Sequence, residues 1–322
     1  MSQPQVISAP SHHATFPISD YDLAATLESG QAFRWNFQEG GWHGIIANRW
    51  VRLRADEFSI TAETGGPVSE WNWLTDYLQL DLDLRKVIAT FPDDEPMRAA
   101  VQACRGLRLL RQEPWECLAS FILSSTKQIV QIRQIVALLC ERFGEPVSRS
   151  STRREPGRGG RLLETEIPSP QPSPRLGGER EKEAPCFAFP SPERIATVSE
   201  AELRACKMGF RAPHLLNAAR QIAEEKLDLE RLRQLSYAEA REELMKLRGV
   251  GGKIADCVLL FAYGFDGAFP VDVWVERALQ QLYFPRRRAS DKRLRRFAAT
   301  HFGPHAGYAQ QYLFHYMRTK MK

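Results

Sequence analysis

Three glycines close together, Gly249, Gly251 and Gly252, are the feature that most constrains how this chain can fold. The preceding segment, SYAEAREELMKL at residues 236–247, begins with a serine three positions before a glutamate, which is a capping box, and continues with leucines at helical spacing. Glycine takes positive φ at little cost and lets a backbone approach another surface, so we expect the three glycines to end this helix. A second helix is predicted over residues 253–263. The sequence therefore predicts a helix-hairpin-helix unit.

Such a hairpin presents backbone N–H groups at the beginning of its second helix, where the helix dipole is positive. A phosphate group fits there, because it accepts hydrogen bonds and carries negative charge. We therefore expect Gly249 and Gly251 to approach the backbone of DNA.

Lys253 and Asp272 are the candidate catalytic residues of this segment. The positive end of the second helix disfavours the protonated form of the Lys253 amine, and a neutral amine is a nucleophile. Asp272 follows a proline and precedes VWVERAL, so its carboxylate could begin the next helix and point back toward Lys253. Singly, the lysine could be a solvated phosphate contact and the aspartate only an N-cap. Together, at this spacing behind this hairpin, they favour attack on a sugar carbon.

Length and composition allow two hydrophobic cores, since the chain has 322 residues of which 43% are hydrophobic. The net charge of +5 is modest, but PRRRASDKRLRRF at residues 285–297 has seven basic residues and one acidic residue. This segment is either a face that contacts phosphates or a solubilising helix surface.

The six cysteines form no close pair and no ligand cluster, so the sequence suggests neither a disulfide framework nor a metal site, and no cofactor is expected. The first residues lack a basic segment followed by an apolar core, and no apolar run approaches membrane length. We expect a cytoplasmic protein, associated with the nucleoid if the source is bacterial, without membrane attachment and acting as a monomer.

The fold class predicted from these patterns is α+β. Residues 42–63 contain β-branched and aromatic residues interrupted by turn formers, which is typical of antiparallel strands. Helical periodicity begins near residue 71, and residues 115–143 are apolar enough for a buried helix pair. We predict an N-terminal antiparallel sheet domain at residues 1–105 and a mainly helical domain at residues 106–322.

An abrupt change of composition interrupts the helical domain at residues 149–185. This segment is rich in Pro, Gly, Arg, Glu and Ser and has no aromatic residue. It is predicted to be a disordered insertion, with a basic loop that contacts DNA as the alternative.

Several motifs in order along the chain resemble those of the 8-oxoguanine DNA glycosylase family, a group of helix-hairpin-helix enzymes. The matching segments are SGQAFRW at 29–35, DYLQLDLDL at 76–84, QEPWECLASFILSS at 112–125, MGFRA at 208–212, the hairpin itself, and FGPHAGYAQQYLF at 302–314. No cysteine follows Cys257, so the iron–sulfur cluster of endonuclease III-like relatives is not expected. The resemblance implies a bifunctional DNA glycosylase and abasic-site lyase that excises 8-oxoguanine from double-stranded DNA.

The resemblance also implies a role for each residue of the base pocket. Lys253 would attack C1′ and form a Schiff base, with Asp272 stabilising the cationic sugar, before β-elimination nicks the strand. The backbone carbonyl of Gly30 would accept the N7–H that distinguishes 8-oxoguanine from guanine. The base would lie between Phe314 and Cys257, with the amide of Gln310 at its Watson–Crick edge.

On the DNA side, the resemblance assigns Phe210 to the gap left by the displaced nucleotide and Arg211 to the cytosine that has lost its partner. Trp274 stands where the family usually has a histidine near a phosphate. Thr126 and Lys127 replace asparagines, and Gln131 replaces an arginine that helps to read cytosine, so preference for the opposite base is open.

Two other functions remain compatible with the residues. One is a glycosylase for another damaged purine, although Gly30, Gln310 and Phe314 argue against it. The other is a non-enzymatic helix-hairpin-helix protein that only binds DNA, in which case Lys253 and Asp272 would be there by accident.

Deletion of residues 155–181 is expected to leave excision activity and Tm nearly unchanged. A segment poor in apolar residues contributes little to a core, and shortening a loop changes its closure entropy only slightly. Melting curves and excision rates of the deletion variant test this expectation. A large loss of DNA affinity, steepest at low salt, would instead indicate a basic loop that contacts DNA.

Overall fold

The computed structural model describes residues 11–149, 185–286 and 288–320, and it has the predicted α+β class. The expected disordered insertion falls almost entirely on residues 150–184, which lie outside the described residues. The last strand before this segment, β6 (Pro146–Val147), pairs with the first after it, β7 (Cys186–Phe187), in an antiparallel ribbon. The two ends of the segment are therefore held side by side.

The N-terminal part contains a five-stranded sheet in the order β1-β5-β4-β3-β2, and every neighbouring pair is antiparallel. Burial alternates along β5, as expected for a strand with one face on a core. The antiparallel strands predicted over residues 42–63 are confirmed. The strands of this sheet are β1 (Ser11–Pro17), β2 (Asn36–Gln38), β3 (Gly41–Ile46), β4 (Arg49–Ala55) and β5 (Ser59–Val68).

The sheet packs around the fully buried Trp35. A Cβ on Gly44 would lie 2.5 Å from the Trp35 ring, so β3 approaches the indole closely because Gly44 has no side chain. The indole Nε1 donates to the Tyr77 hydroxyl at 2.9 Å, which links the sheet to the first helix that follows it.

From α2 onward the described residues are mainly helical, apart from the β6–β7 ribbon, and a larger core joins the helices. Leu84 and Met97 belong to this helical core although they precede residue 106. The helices are α1 (Leu23–Glu28), α2 (Asn72–Leu78), α3 (Leu84–Ile88), α4 (Glu95–Ala103), α5 (Pro114–Leu123), α6 (Ile129–Phe143), α7 (Pro192–Ala196), α8 (Glu200–Ala205), α9 (Ala212–Ala223), α10 (Tyr237–Met245), α11 (Gly252–Val258), α12 (Val273–Tyr283), α13 (Asp291–His301) and α14 (Ala306–Lys320).

The helix-hairpin-helix unit is formed by α10 and α11, and α11 continues as a π-helical turn at Leu259–Tyr263. Of the three glycines, Gly249 alone has positive φ, at 86°. Gly251 is extended, with φ −96°, and is the N-cap of α11. Positive φ therefore accounts for Gly249 but not for Gly251 or Gly252. A Cβ on Gly252 would collide with the guanidinium of Arg241, so close packing explains that glycine instead.

A buried carboxylate joins the two helices of the hairpin. Asp256 on α11 is 4% exposed and accepts hydrogen bonds from Arg241 Nε at 2.7 Å and from the Tyr237 hydroxyl at 2.8 Å, both on α10. A buried charge is tolerated only when it is paired and hydrogen-bonded, so this pairing selects one packing of α10 on α11.

Asp256→Ala is expected to lower the free energy of unfolding by about 1.5–3 kcal/mol, because two hydrogen bonds to a charged group are lost and Arg241 keeps no partner at this position. Urea unfolding measures the change. Glu243→Ala is the matched control, since Glu243 pairs with Lys246 on the exposed side of α10 and its loss should cost no more than about 0.5 kcal/mol. Equal effects of the two substitutions would show that Asp256 does not hold the hairpin.

Candidate active site

A cavity of about 380 Å³ lies between the hairpin, α5, α12 and α14. Both candidate catalytic residues and all four candidate pocket residues line it, although they are spread along most of the chain. The predicted residues on its wall are Gly30, Lys253, Cys257, Asp272, Trp274, Gln310 and Phe314.

Lys253 lies in the first turn of α11, directly after the glycine hairpin, and its side chain is half-buried. Its Nζ donates a hydrogen bond to Ser124 Oγ at 3.3 Å and lies 5.2 Å from the centre of the Phe121 ring. The amine is therefore held on an aromatic face at the cavity wall.

Asp272 is the N-cap of α12, and its carboxylate accepts from the Val275 N–H at 2.8 Å. Burial raises the pKa of this carboxyl, against the opposing effects of the Val275 N–H and the positive charge of Lys253. Asp272 and Lys253 thus share one cavity wall and interact electrostatically, with the carboxyl in a poorly hydrated position.

Gly30 has φ of 82°, where a side chain would be strained. A Cβ at this position would also lie 2.7 Å from Ile129 Cδ1 and 3.4 Å from Phe314 Cε1. Only glycine lets the backbone reach this part of the wall.

Cys257 is buried on the wall, and burial raises the pKa of its thiol to about 12. The thiol is therefore neutral and a weak nucleophile at physiological pH.

Gln310 on α14 is 4% exposed, and its Oε1 has no hydrogen-bond partner among the described residues. An unsatisfied buried acceptor costs about 1–3 kcal/mol. Since Gln310 lines the cavity, an N–H donor of a bound molecule would remove this cost.

The predicted DNA-contacting residues Phe210, Arg211, Gly249 and Gly251 are not on the cavity wall. Phe210 is 55% exposed, which is unusual for a large apolar side chain. The Phe210 and His214 rings form a T-shaped pair with a centroid distance of 6.4 Å, and the His214 ring also packs against Gly249. The exposed aromatic side chain and the hairpin are therefore neighbours.

Arg211 is 3% exposed and makes its hydrogen bonds inside the protein. Nε donates to the Ser125 carbonyl at 2.7 Å, and Nη2 donates to the same carbonyl and to Thr126 Oγ1. In this structure the guanidinium holds the turn after α5.

Three other positions near this turn differ from the residues that are usual in the family. Thr126 has φ of 58°, which is strained for a β-branched residue. Gln131 accepts from the Gln128 N–H at 3.3 Å and completes the capping box of α6. Lys127 lines the cavity.

Trp274 lines the cavity from the first turn of α12, with the guanidinium of Arg277 5.4 Å from its ring centre. The basic segment at residues 285–297 extends into α13, where the side chains of Lys292, Arg293 and Arg296 are exposed. This exposure is compatible with both interpretations of that segment.

Among the wall residues that the sequence did not indicate are Phe121, Ser124, Ile129 and Arg318. The spacing of Arg318 could have identified it, because Gln310, Phe314 and Arg318 follow each other at intervals of four and share one face of α14. Within the described residues, no helix is both long and apolar enough to span a bilayer.

Two family models together match most of the chain. Residues 14–118 match the N-terminal domain of 8-oxoguanine DNA glycosylases, and residues 119–304 match the HhH-GPD superfamily of base excision DNA repair proteins.

Related proteins are similar over most of the chain. A protein of Methanothermobacter thermautotrophicus named "Probable N-glycosylase/DNA lyase" is 30% identical over 94% of this chain and 95% of its own length. The N-glycosylase/DNA lyase of Saccharomyces cerevisiae is 28% identical over 82% of this chain and 69% of its own length.

A solved structure has the same architecture. It is the 8-oxoguanine glycosylase/lyase of Clostridium acetobutylicum in complex with double-stranded DNA containing cytosine opposite 8-oxoguanine. The TM-score is 0.79 at 28% identity, covering 96% of this chain and 99% of the other.

Asp272→Asn is expected to keep or raise Tm at neutral pH. Because the pKa of Asp272 is raised in the folded state, its ionisation destabilises the fold above that pKa, and a neutral amide caps a helix equally well. The difference between variant and wild type should disappear as pH falls below the pKa of the unfolded carboxyl. Thermal melts across a pH series test this, with the exposed N-cap substitution Asp83→Asn as control. A lower Tm for Asp272→Asn alone at neutral pH would show that the charge stabilises the fold.

Proposed function

Because this chain belongs to the HhH-GPD superfamily of base excision DNA repair proteins and carries an 8-oxoguanine DNA glycosylase N-terminal domain, we propose that its cavity receives a nucleotide turned out of DNA. The chain is a DNA N-glycosylase with lyase activity, and its substrate is double-stranded DNA that contains 8-oxoguanine. A base stacked in a duplex cannot be reached at its glycosidic carbon, so it must leave the stack at a cost of a few kcal/mol.

The observation that carries the catalytic proposal is the presence of Lys253 and Asp272 on the wall of one cavity. An amine supplies the nucleophile, and a carboxylate balances positive charge that develops on the sugar. These two groups account for the chemistry, so the proposal includes no metal or cofactor.

Base recognition is proposed for the other wall residues. The carbonyl of Gly30 accepts the N7–H that 8-oxoguanine has and guanine lacks. The unpaired Oε1 of Gln310 accepts an N–H of the Watson–Crick edge. Phe314 and Cys257 contact the two faces of the base. Guanine would instead place its N7 lone pair against the lone pairs of the Gly30 carbonyl in a poorly hydrated site. This repulsion disfavours the binding of guanine by roughly 1–3 kcal/mol.

In the proposed reaction, the neutral amine of Lys253 bonds to C1′ while the C1′–N9 bond breaks and its electrons leave with the base. Asp272 stabilises the positive charge on the sugar. The C1′–O4′ bond then breaks, O4′ takes a proton from water, and a protonated imine forms between Lys253 and C1′. Transfer of a C2′ proton to water breaks the C3′–O bond and expels the 3′ phosphate, which nicks the strand by β-elimination. The Ser124 hydroxyl, which accepts from Nζ, orients the amine.

Contacts to the rest of the DNA are proposed outside the cavity. The exposed ring of Phe210 fills the gap in the stack, and the N–H groups at Gly249 and Gly251 bind a phosphate. Trp274 offers one neutral donor near the displaced nucleotide.

Preference for cytosine opposite the lesion is proposed to be weaker than is usual in the family. Arg211 must exchange its bonds to Ser125 and Thr126 before it can read cytosine. The side-chain oxygen of Gln131 already accepts a hydrogen bond in the capping box of α6. The protein is further proposed to act as a monomer in the cytoplasm, on the chromosomal DNA.

Lys253→Gln is expected to bind lesion-containing duplex but to lose both base release and strand nicking, because glutamine keeps polarity without a nucleophilic amine. Borohydride should trap the wild type on DNA as a covalent adduct and should not trap this variant. Lys246→Gln, on the exposed side of α10, is the control and should behave as wild type.

The same assay separates the alternatives. Nicking by Lys253→Gln at the wild-type rate would reject the lysine mechanism. Binding without base release by the wild type would favour a non-enzymatic DNA-binding protein, and release of a different damaged purine in preference to 8-oxoguanine would favour another glycosylase.

A further inference from the structure

Arg318 places a positive charge on the cavity wall beside the groups proposed to bind the base. It lies one helical turn after Phe314 on α14, and its guanidinium carbon is 5.3 Å from the centre of the Phe314 ring. Its Nη1 lies 3.2 Å from the position that a Cβ on Gly30 would occupy. The guanidinium therefore neighbours both the stacking ring and the glycine backbone.

Most N–H groups of the Arg318 guanidinium have no hydrogen-bond acceptor among the described residues. Among the described residues, it makes a single hydrogen bond, from Nη1 to the Glu28 carbonyl at a long 3.5 Å. Arg108 is a contrasting structural arginine, 4% exposed, which donates to the carbonyls of Ser19, Gln79 and Leu82. A guanidinium has five N–H donors, so Arg318 has capacity for an acceptor in the cavity.

The chemistry of the lesion supplies such an acceptor. In 8-oxoguanine, the C8 carbonyl is bonded directly to the ring position N7, so its oxygen lies on the same edge as the N7–H that the Gly30 carbonyl accepts. A guanidinium beside Gly30 can reach this edge. Undamaged guanine has a C–H at C8, which offers no acceptor.

We propose that Arg318 is a further catalytic residue, whose guanidinium donates a hydrogen bond to O8 of the displaced base. This inference rests on the proposed function, because it takes the binding edge from the role of Gly30. When the C1′–N9 bond breaks, its electron pair passes to N9 and is delocalised through C8 onto O8. Arg318 stabilises that negative charge and keeps its own proton, while the ammonium formed at Lys253 loses the proton that neutralises the base. The interaction strengthens as the bond breaks, so it accelerates base release.

Loss of the Arg318 guanidinium should affect the two reactions of the enzyme differently. Base release requires stabilisation at O8, whereas a preformed abasic site has no base to stabilise. Arg318→Met should slow single-turnover release of 8-oxoguanine by about 10- to 100-fold, in line with loss of a hydrogen bond to a charged group. Nicking of a preformed abasic-site duplex by the same variant should be unchanged, and Arg318→Lys should recover part of the release rate.

The matched control is Arg49→Met, since the Arg49 guanidinium also lies over an aromatic ring, 5.2 Å from the centre of Trp73, but in the sheet domain. It should change neither reaction. Tm is measured for each variant, and if Arg318→Met does not melt cooperatively, Arg318→Lys carries the test, with a smaller loss that is still confined to base release.

Equal losses of release and nicking by an Arg318 variant, especially with a shallower salt dependence of DNA affinity than the wild type shows, would indicate a phosphate contact and overturn the proposal. Unchanged rates in both reactions would also overturn it. Failure of the proposed function is distinguishable, because the wild type itself would then neither nick the abasic duplex nor be trapped by borohydride.

Discussion

The pairing of Asp256 with Arg241 and Tyr237 is the interaction on which the catalytic arrangement depends. Asp256 lies on the same helix as Lys253 and immediately before Cys257, so the contact that fixes α11 on α10 also fixes the lysine and one face of the cavity. An apolar contact could hold the two helices together without selecting one rotation, whereas a buried carboxylate must meet its donors. We infer that this polar contact fixes the orientation of α11 relative to α10, whereas the surrounding hydrophobic core supplies most of the stability of the hairpin.

Several groups around the cavity are less stable than they would be elsewhere in a protein. Gln310 Oε1 is buried without a partner, the pKa of the Asp272 carboxyl is raised by burial, and Thr126 has left-handed backbone. Each of these features raises the free energy of the folded protein in the absence of a ligand. Such costs are typical of sites whose groups are arranged for a ligand or a transition state, and the large helical core can offset them.

The sheet domain contributes directly to the cavity, because Gly30 follows α1 and reaches α14. Polar contacts hold this junction. Gln311 Nε2 donates to the Ser29 carbonyl at 3.1 Å, and Gln31 Nε2 donates to the Arg108 carbonyl at 2.8 Å. The Gly30 backbone, the Phe314 ring and the Arg318 guanidinium are therefore held in position by hydrogen bonds of neighbouring residues. This arrangement makes the two domains one functional unit.

The sequence by itself determined the α+β class, the hairpin and the antiparallel strands, since capping residues, glycines and apolar periodicity act over a few neighbouring residues. Motif resemblance also indicated the two catalytic candidates and the four base-pocket candidates that line one cavity, although their roles stay predictions. Only the tertiary structure decided that Arg211 bonds to the turn after α5 and that the Arg318 guanidinium lies beside Gly30. The physical reason is that the partner of a long polar side chain depends on which distant donors and acceptors the packed helices bring within about 3 Å.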